Sequence, residues 1–255
     1  MELAGRVVLV TGGAGGIGSA VAHAFARAGA AGVAVNYRKS GSEAHAFAAQ
    51  IERSGVKALA VRADVQSDEQ VRAMVATVGS HFGRLDVLVN NAGVTHWVPL
   101  ADLEGLTEAV WDEILDVNVK GAFRCARAAA DLLRAREGMI VNVSSMSGVL
   151  APSTISSLAY GTAKAALIYM TRALAVALAP EVRVNCVAPA FTDTPWMRRH
   201  FGADFAEVVA TASAGYPLRR IAEPADIAGA IVGLVTGGDF VTGQTLLVDG
   251  GLSLS

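Results

Sequence analysis

Short runs of apolar and β-branched residues recur along the chain at positions 7–10, 33–35, 58–61, 87–89, 139–143, 183–187 and 245–248. Longer alanine-rich stretches of helical composition separate them. This alternation predicts a βαβ array. Parallel strands need crossover connections, and helices then cover both faces, so the expected architecture is α/β: an open, doubly wound parallel sheet of about seven strands within one domain, 1–255. In such a sheet ligands bind beyond the carboxyl ends of the strands. The longest interval without a strand runs over 191–217 and is rich in aromatics, Met and Gly rather than linker residues. Loops of that length in compact domains are commonly functional, and this one is expected to form a lid.

Composition agrees with a large packed core: 53% of the 255 residues are hydrophobic and 17% charged, which argues against disorder. Net charge is −2 with scattered lysines and arginines, so no nucleic-acid footprint is present. Cys125 and Cys186 lie in apolar segments without CxxC or histidine spacing, which points to buried thiols and to no disulfide framework or metal site. The N-terminus enters a strand almost at once, leaving no room for a signal peptide, and a cytoplasmic protein is expected. The apolar stretch 165–179 is broken by Arg172 and is shorter than the roughly 20 residues of a bilayer span, so no membrane helix is expected.

Directly after the first strand stands Thr11-Gly12-Gly13-Ala14-Gly15-Gly16-Ile17-Gly18, followed by helical sequence through Arg27. Glycines at 12, 16 and 18 permit a tight turn, close backbone approach to a pyrophosphate, and close helix packing, while the helix N-terminus presents N–H groups to the anion. A dinucleotide site is predicted there. Where an NAD site carries an acid for the ribose 2′-hydroxyl, this chain has Asn36, followed by Tyr37 and Arg38. Arg38 is either a partner for a 2′-phosphate or a solvated surface charge; the first reading favours NADP(H) and leaves NAD(H) open. Asp64 is either an adenine-edge acceptor or a helix N-cap.

Tyr160 and Lys164 are four residues apart in a helical segment and so share one face about a turn apart. A phenol titrates near 10 in water, so using it at neutral pH requires nearby positive charge. A Tyr and a Lys at this spacing are more often an ordinary amphipathic pair, and other signals must decide. With that pair, eight elements stand in order along the chain: Thr11 to Gly18, Asp64, Asn90-Asn91-Ala92-Gly93, Asn118, Ser145, Tyr160 with Lys164, Pro189 with Thr194, and Val248-Asp249-Gly250-Gly251. On these, over its whole length, the chain resembles the short-chain dehydrogenase/reductase family, of the type that includes ketoacyl reductases and glucose dehydrogenases.

The resemblance implies a single-domain Rossmann fold and an NAD(P)(H)-dependent oxidoreductase that moves a hydride between nicotinamide and a ketone or secondary alcohol, of the carbonyl (3-oxoacyl-type) reductase kind. Ser145 and Tyr160 would hydrogen-bond the substrate oxygen and Tyr160 would transfer the proton. Lys164 would bind the nicotinamide ribose and lower the Tyr160 pKa, and Asn118 would hold a water in a proton relay, unless Asn118 only satisfies a local helix distortion. Nucleotide contacts are implied for Gly12, Gly16, Ile17 and Gly18, for Tyr37 and Arg38, and for Asp64 and Val65. Asn91, Ala92 and Gly93 join them, as do Tyr160, Lys164, Pro189, Thr192 and Thr194. Strand alternation points Ser144 and Ser145 to opposite sides, so one of them faces the substrate; the family pattern favours Ser145, with Ser147 a minor alternative. Two departures bear on the reading: Ala190 replaces a frequent Gly, and Gly15 stands where NADP-preferring members often carry a basic residue.

The substrate mouth would be formed by Val94, His96, Trp97, Leu150, Ile155, Trp196, Met197, Phe201 and Phe205, which suits a neutral, partly hydrophobic carbonyl or alcohol. Several of these residues could equally anchor the lid to the body. The likeness also implies a homotetramer. Two other readings compete. A catalytically silent nucleotide-binding or interaction protein of the same fold predicts a broken catalytic set, and an isomerase or dehydratase ordinarily needs a larger substrate domain.

Overall fold

The computed structural model describes residues 1–150 and 157–254. Seven parallel strands form one sheet: β1 (Val7–Val10), β2 (Gly32–Tyr37), β3 (Lys57–Arg62), β4 (Val87–Asn90), β5 (Met139–Val143), β6 (Arg183–Pro189) and β7 (Thr245–Val248). Their order is β3-β2-β1-β4-β5-β6-β7, which reverses direction between β1 and β4. All six pairings are parallel. The expected doubly wound sheet is therefore present, with β2, β3 and β4 longer than their apolar runs because polar residues at their ends also pair, and β6 extended by Ala188 and Pro189.

Alternation along β1 shows how two faces arise from one run. Val8 and Val10 pack with α1 (Gly16–Arg27), α2 (Gly41–Arg53) and α9 (Pro224–Thr236) on one side. Val7 and Leu9 pack with α3 (Asp68–Phe82), α5 (Ala122–Arg134) and the end of α6 (Leu158–Ala177) on the other. A strand covered twice must be apolar at every position, which is why these strands read as continuous runs. α4 (Glu108–Leu115) meets α6 through Ile114, Ala159 and Ala163. Between α4 and α5 the chain makes a π-helical turn, Asp116–Gly121.

The 191–217 interval is helical: α7 (Pro195–Phe201) and α8 (Phe205–Gly215). It has a small core of its own, Phe191, Met197, Phe205, Tyr216 and Ile221, with Trp97 packed against it. Ile155 lies outside the described residues. Among those described, no helix is long and apolar enough to cross a membrane, and both cysteines are free and buried.

Candidate active site

At the reversal between β1 and β4 the backbone forms a cradle. Thr11 Oγ1 accepts from the N–H groups of Asn91 and Ala92, both at 3.0 Å, and Asn91 Nδ2 donates to the carbonyls of Thr11 and Gly12 at 3.0 and 3.1 Å. Gly12 and Gly16 adopt φ of +60° and +53°, conformations that favour glycine. A Cβ on Gly18 would stand 2.3 Å from the Gly12 carbonyl oxygen and 2.6 Å from Asn91 Nδ2. The turn is thus closed to a side chain at Gly18 while α1 begins behind it, and this fits the pyrophosphate of a dinucleotide. Ile17 packs against the core on the α1 side.

Asn36 does something the sequence did not disclose. It is buried, its Oδ1 accepts from Gly12 N at 3.2 Å and its Nδ2 donates to Ala63 O at 3.0 Å, so it ties the glycine turn to the end of β3. Its side chain is occupied within the protein. Arg38 follows, with Nη1 3.7 Å from Asp64 Oδ2. Asp64 Oδ1 accepts from Gln66 N at 3.0 Å, and Ser67 takes the N-cap of α3, so the capping alternative for Asp64 gives way to a turn-forming role. Tyr37 turns toward α2, its hydroxyl 3.3 Å from His45 Nε2. Val65 is buried and its carbonyl accepts from Arg124 at 3.2 Å.

Across the sheet, four predicted residues meet. Ser145, just after β5, stands beside Tyr160 of the first turns of α6, where its side chain favours the phenolate. Lys164, one turn on, is 4% exposed. Its Nζ donates to Val143 O at 2.9 Å and lies 5.4 Å from the centre of the Tyr160 ring. Ser144 is buried and donates to Lys164 O at 2.7 Å, so it binds helix to strand, and Ser145 is the serine beside Tyr160. Asn118 sits in the π-helical turn with Nδ2 donating to Ile114 O at 2.8 Å and Val94 O at 2.9 Å. The helix distortion it was weighed against is real, yet its buried Oδ1 has no partner among the described residues. A Cβ on Gly93 would stand 2.7 Å from that Oδ1 and 3.6 Å from Lys164 Nζ, so Gly93 keeps the space between these two groups open.

Burial governs the electrostatics of Tyr160 and Lys164. It pushes the Tyr160 phenol up to about 12, against the lowering effect of the Ser145 side chain. The same burial brings Lys164 down to about 8. Desolvation of the phenolate wins in the protein alone, and Tyr160 is protonated at neutral pH.

Around this centre, Pro189 ends β6 and Thr192 Oγ1 donates to Ala190 O at 2.9 Å. The methyl side of Thr194 lies against Gly16, 3.6 Å from where its Cβ would be, while Thr194 caps α7 by accepting from Met197 N. The 191–217 segment therefore begins on the glycine turn. Trp196 of α7 meets the Tyr160 ring edge-on at 6.4 Å and Trp97 at 5.5 Å, and His200 stacks on Trp97 at 3.7 Å. His96 Nε2 pairs with Glu113 Oε2 at 2.7 Å. Sequence reasoning named Asn36 without its partners and did not single out Glu113 or His200; each is engaged by a residue distant along the chain, and no local pattern announces the contact.

Comparison with known proteins agrees with this geometry. The profile of the family described as enoyl-(acyl carrier protein) reductase matches residues 12–253. A Streptomyces violaceoruber protein described as a ketoacyl reductase of the granaticin polyketide synthase is 44% identical over 97% of this chain and 96% of its own length. The 3-oxoacyl-[acyl-carrier-protein] reductase of Synechocystis is 36% identical over 98% of each chain. The solved aldohexose dehydrogenase of Thermoplasma acidophilum, 31% identical, superposes with a TM-score of 0.86 over 100% of this chain and 96% of that one. With its seven-stranded parallel sheet and these relatives, the chain belongs to the short-chain dehydrogenase/reductase family and is an NAD(P)-dependent oxidoreductase.

Proposed function

We propose that the protein reduces a ketone of the 3-oxoacyl type to a secondary alcohol, with Ser145, Tyr160, Lys164 and Asn118 as its working set. The observation that carries this reading is the convergence of Tyr160, the neighbouring Ser145 and buried Lys164, whose Nζ lies 5.4 Å from the centre of the Tyr160 ring, assembled from a strand end and a helix. A catalytically silent relative has no need of that convergence. When bound, the nicotinamide supplies the hydride to the carbonyl carbon. Ser145 and Tyr160 donate hydrogen bonds to the substrate oxygen, and Tyr160, protonated at neutral pH, delivers its proton to that oxygen as negative charge develops there. The Lys164 ammonium stabilises the phenolate that remains, and a water on Asn118 Oδ1 returns a proton by way of Lys164.

Gly12, Gly16, Gly18, Asn91, Ala92 and Gly93 would hold the nucleotide through their backbone, with Ile17, Val65, Pro189, Thr192 and Thr194 flanking it. Arg38 supports NADP(H) as the preferred cofactor, since Asn36 presents no acid to repel a 2′-phosphate. Trp97 and Trp196 offer an apolar wall to a neutral carbonyl substrate, and 191–217 acts as its lid. Leu158, Tyr169 and Val176 are exposed on α6, as is Phe123 on α5 and Leu246 with Leu247 on the edge strand β7; these faces support a homotetramer. A cytoplasmic location, where pyridine nucleotides are available, fits the reaction.

The test is titration of the purified protein with NADPH and NADH, followed by turnover of a ketone panel that includes a 3-oxoacyl thioester. Tyr160→Phe should keep nucleotide affinity within about twofold and lose at least about 10²-fold in kcat. Unchanged turnover in that variant would remove the proton-transfer assignment.

A further inference from the structure

The carboxyl ends of β2 and β3 enclose a recess of about 220 Å³ lined by Arg38, Lys39, Arg62, Asp64 and Gln70. Three cations thus face one carboxylate, in a chain whose net charge is −2. Parallel pairing explains the gathering: Arg62 is in register with Tyr37, so it leaves the sheet beside Arg38 although 24 residues separate them in sequence. The charges are not equally available. Arg38 is offset by Asp64 at 3.7 Å, and the Asp64 backbone N–H is in turn held by Gln70 Oε1 at 2.9 Å. Arg62 and Lys39 have no side-chain hydrogen bond or ion pair among the described residues. A solvated charged face spreads its cations, whereas here two uncompensated ones, one from the turn after β2 and one from the end of β3, close on a recess whose single acid is already engaged.

We propose that Arg62 is the residue that determines nucleotide specificity, its guanidinium forming with Lys39 and Arg38 a pocket for a phosphomonoester dianion carried on the ribose of the nucleotide. This rests on the dinucleotide reading of the glycine cradle. A planar fork with free donors suits a phosphate bidentately, and Lys39 adds a point charge. Arg38 then serves mainly to hold Asp64 and to complete the positive rim. A nucleotide without the 2′-phosphate leaves Arg62 and Lys39 in water at no cost, so the pocket discriminates through gained contacts and does not exclude the unphosphorylated form.

Calorimetric titration of the full chain with ADP and with 2′,5′-ADP separates this assignment from the reading beneath it. The wild type should bind 2′,5′-ADP about tenfold or more tighter than ADP, as charge-assisted hydrogen bonds warrant. Arg62→Ala should remove most of that ratio while ADP affinity stays within about twofold, and Arg38→Ala should remove less of it. Inorganic phosphate should compete with 2′,5′-ADP but not with ADP in the wild type. Arg62 is exposed at the end of its strand, so the variant should fold. An unchanged ratio in Arg62→Ala, or equal affinities in the wild type, overturns the role of Arg62 while nucleotide binding stands. Binding of neither nucleotide to the wild type overturns both.

Discussion

Replacing Lys164 with Met removes the cation 5.4 Å from the centre of the Tyr160 ring and keeps an apolar stem in a site that is 4% exposed. At that separation and an effective dielectric of about 20, a unit charge stabilises a phenolate by about 3 kcal/mol, equivalent to about 2 pH units. Tyr160 stands at about 12 without help from the nucleotide, so the phenolate left after proton transfer needs that charge. The expected loss in kcat is therefore about 10²-fold. The pH dependence is the sharper signature. Burial holds Lys164 at about 8, so its charge is present below that pH and fades above it, whereas Tyr160 keeps its proton throughout. Wild-type ketone reduction should be flat from about pH 6 to about 7 and decline as pH rises through about 8, and Lys164→Met should be slow with that alkaline limb absent. The assay is kcat at saturating NADPH across this range, with NADPH affinity measured separately by fluorescence and the fold checked by circular dichroism. A variant within about threefold of wild-type kcat, or one that retains the limb near 8, refutes the argument.

Three further perturbations test other parts of the structure. Ser145→Ala should lower kcat by about 10²-fold, whereas Ser144→Ala should leave kcat near wild type and lower stability by about 1–3 kcal/mol through the lost bond to Lys164 O, read by denaturant unfolding. Gly18→Ala forces a Cβ to within 2.3 Å of the Gly12 carbonyl; overpacking of about 2–3 kcal/mol should weaken nucleotide binding by about 10²-fold, while Gly15→Ala, which points into open space, should not change it. Asp86 is fully buried; burial pushes its carboxyl up, but hydrogen bonds from Arg84, Arg6 and Val7 outweigh this and leave it lowered. Its contribution is present above the unfolded value near 4 and is lost as pH falls through the lower folded value, so Asp86→Asn should cost about 3 kcal/mol at neutral pH and less in acid, as measured by urea unfolding.

The sequence by itself determined the sheet, because strands covered on both faces are apolar and leave an unbroken mark, as 7–10 does. It also determined the glycine turn and the Tyr160–Lys164 pair, since their geometry depends on neighbours within one turn of chain. What only the tertiary structure decided are matters of partnership between distant segments. Ser145 is distinguished from Ser144 because Lys164 O captures the one and the Tyr160 hydroxyl meets the other. Asn36 is a strut beneath the glycine turn because Ala63 and Gly12 lie on either side of it. Arg62 joins Arg38 because parallel register brings two strand ends together. The phenol of Tyr160 rises rather than falls because desolvation depends on everything packed around it, which no spacing along the chain records.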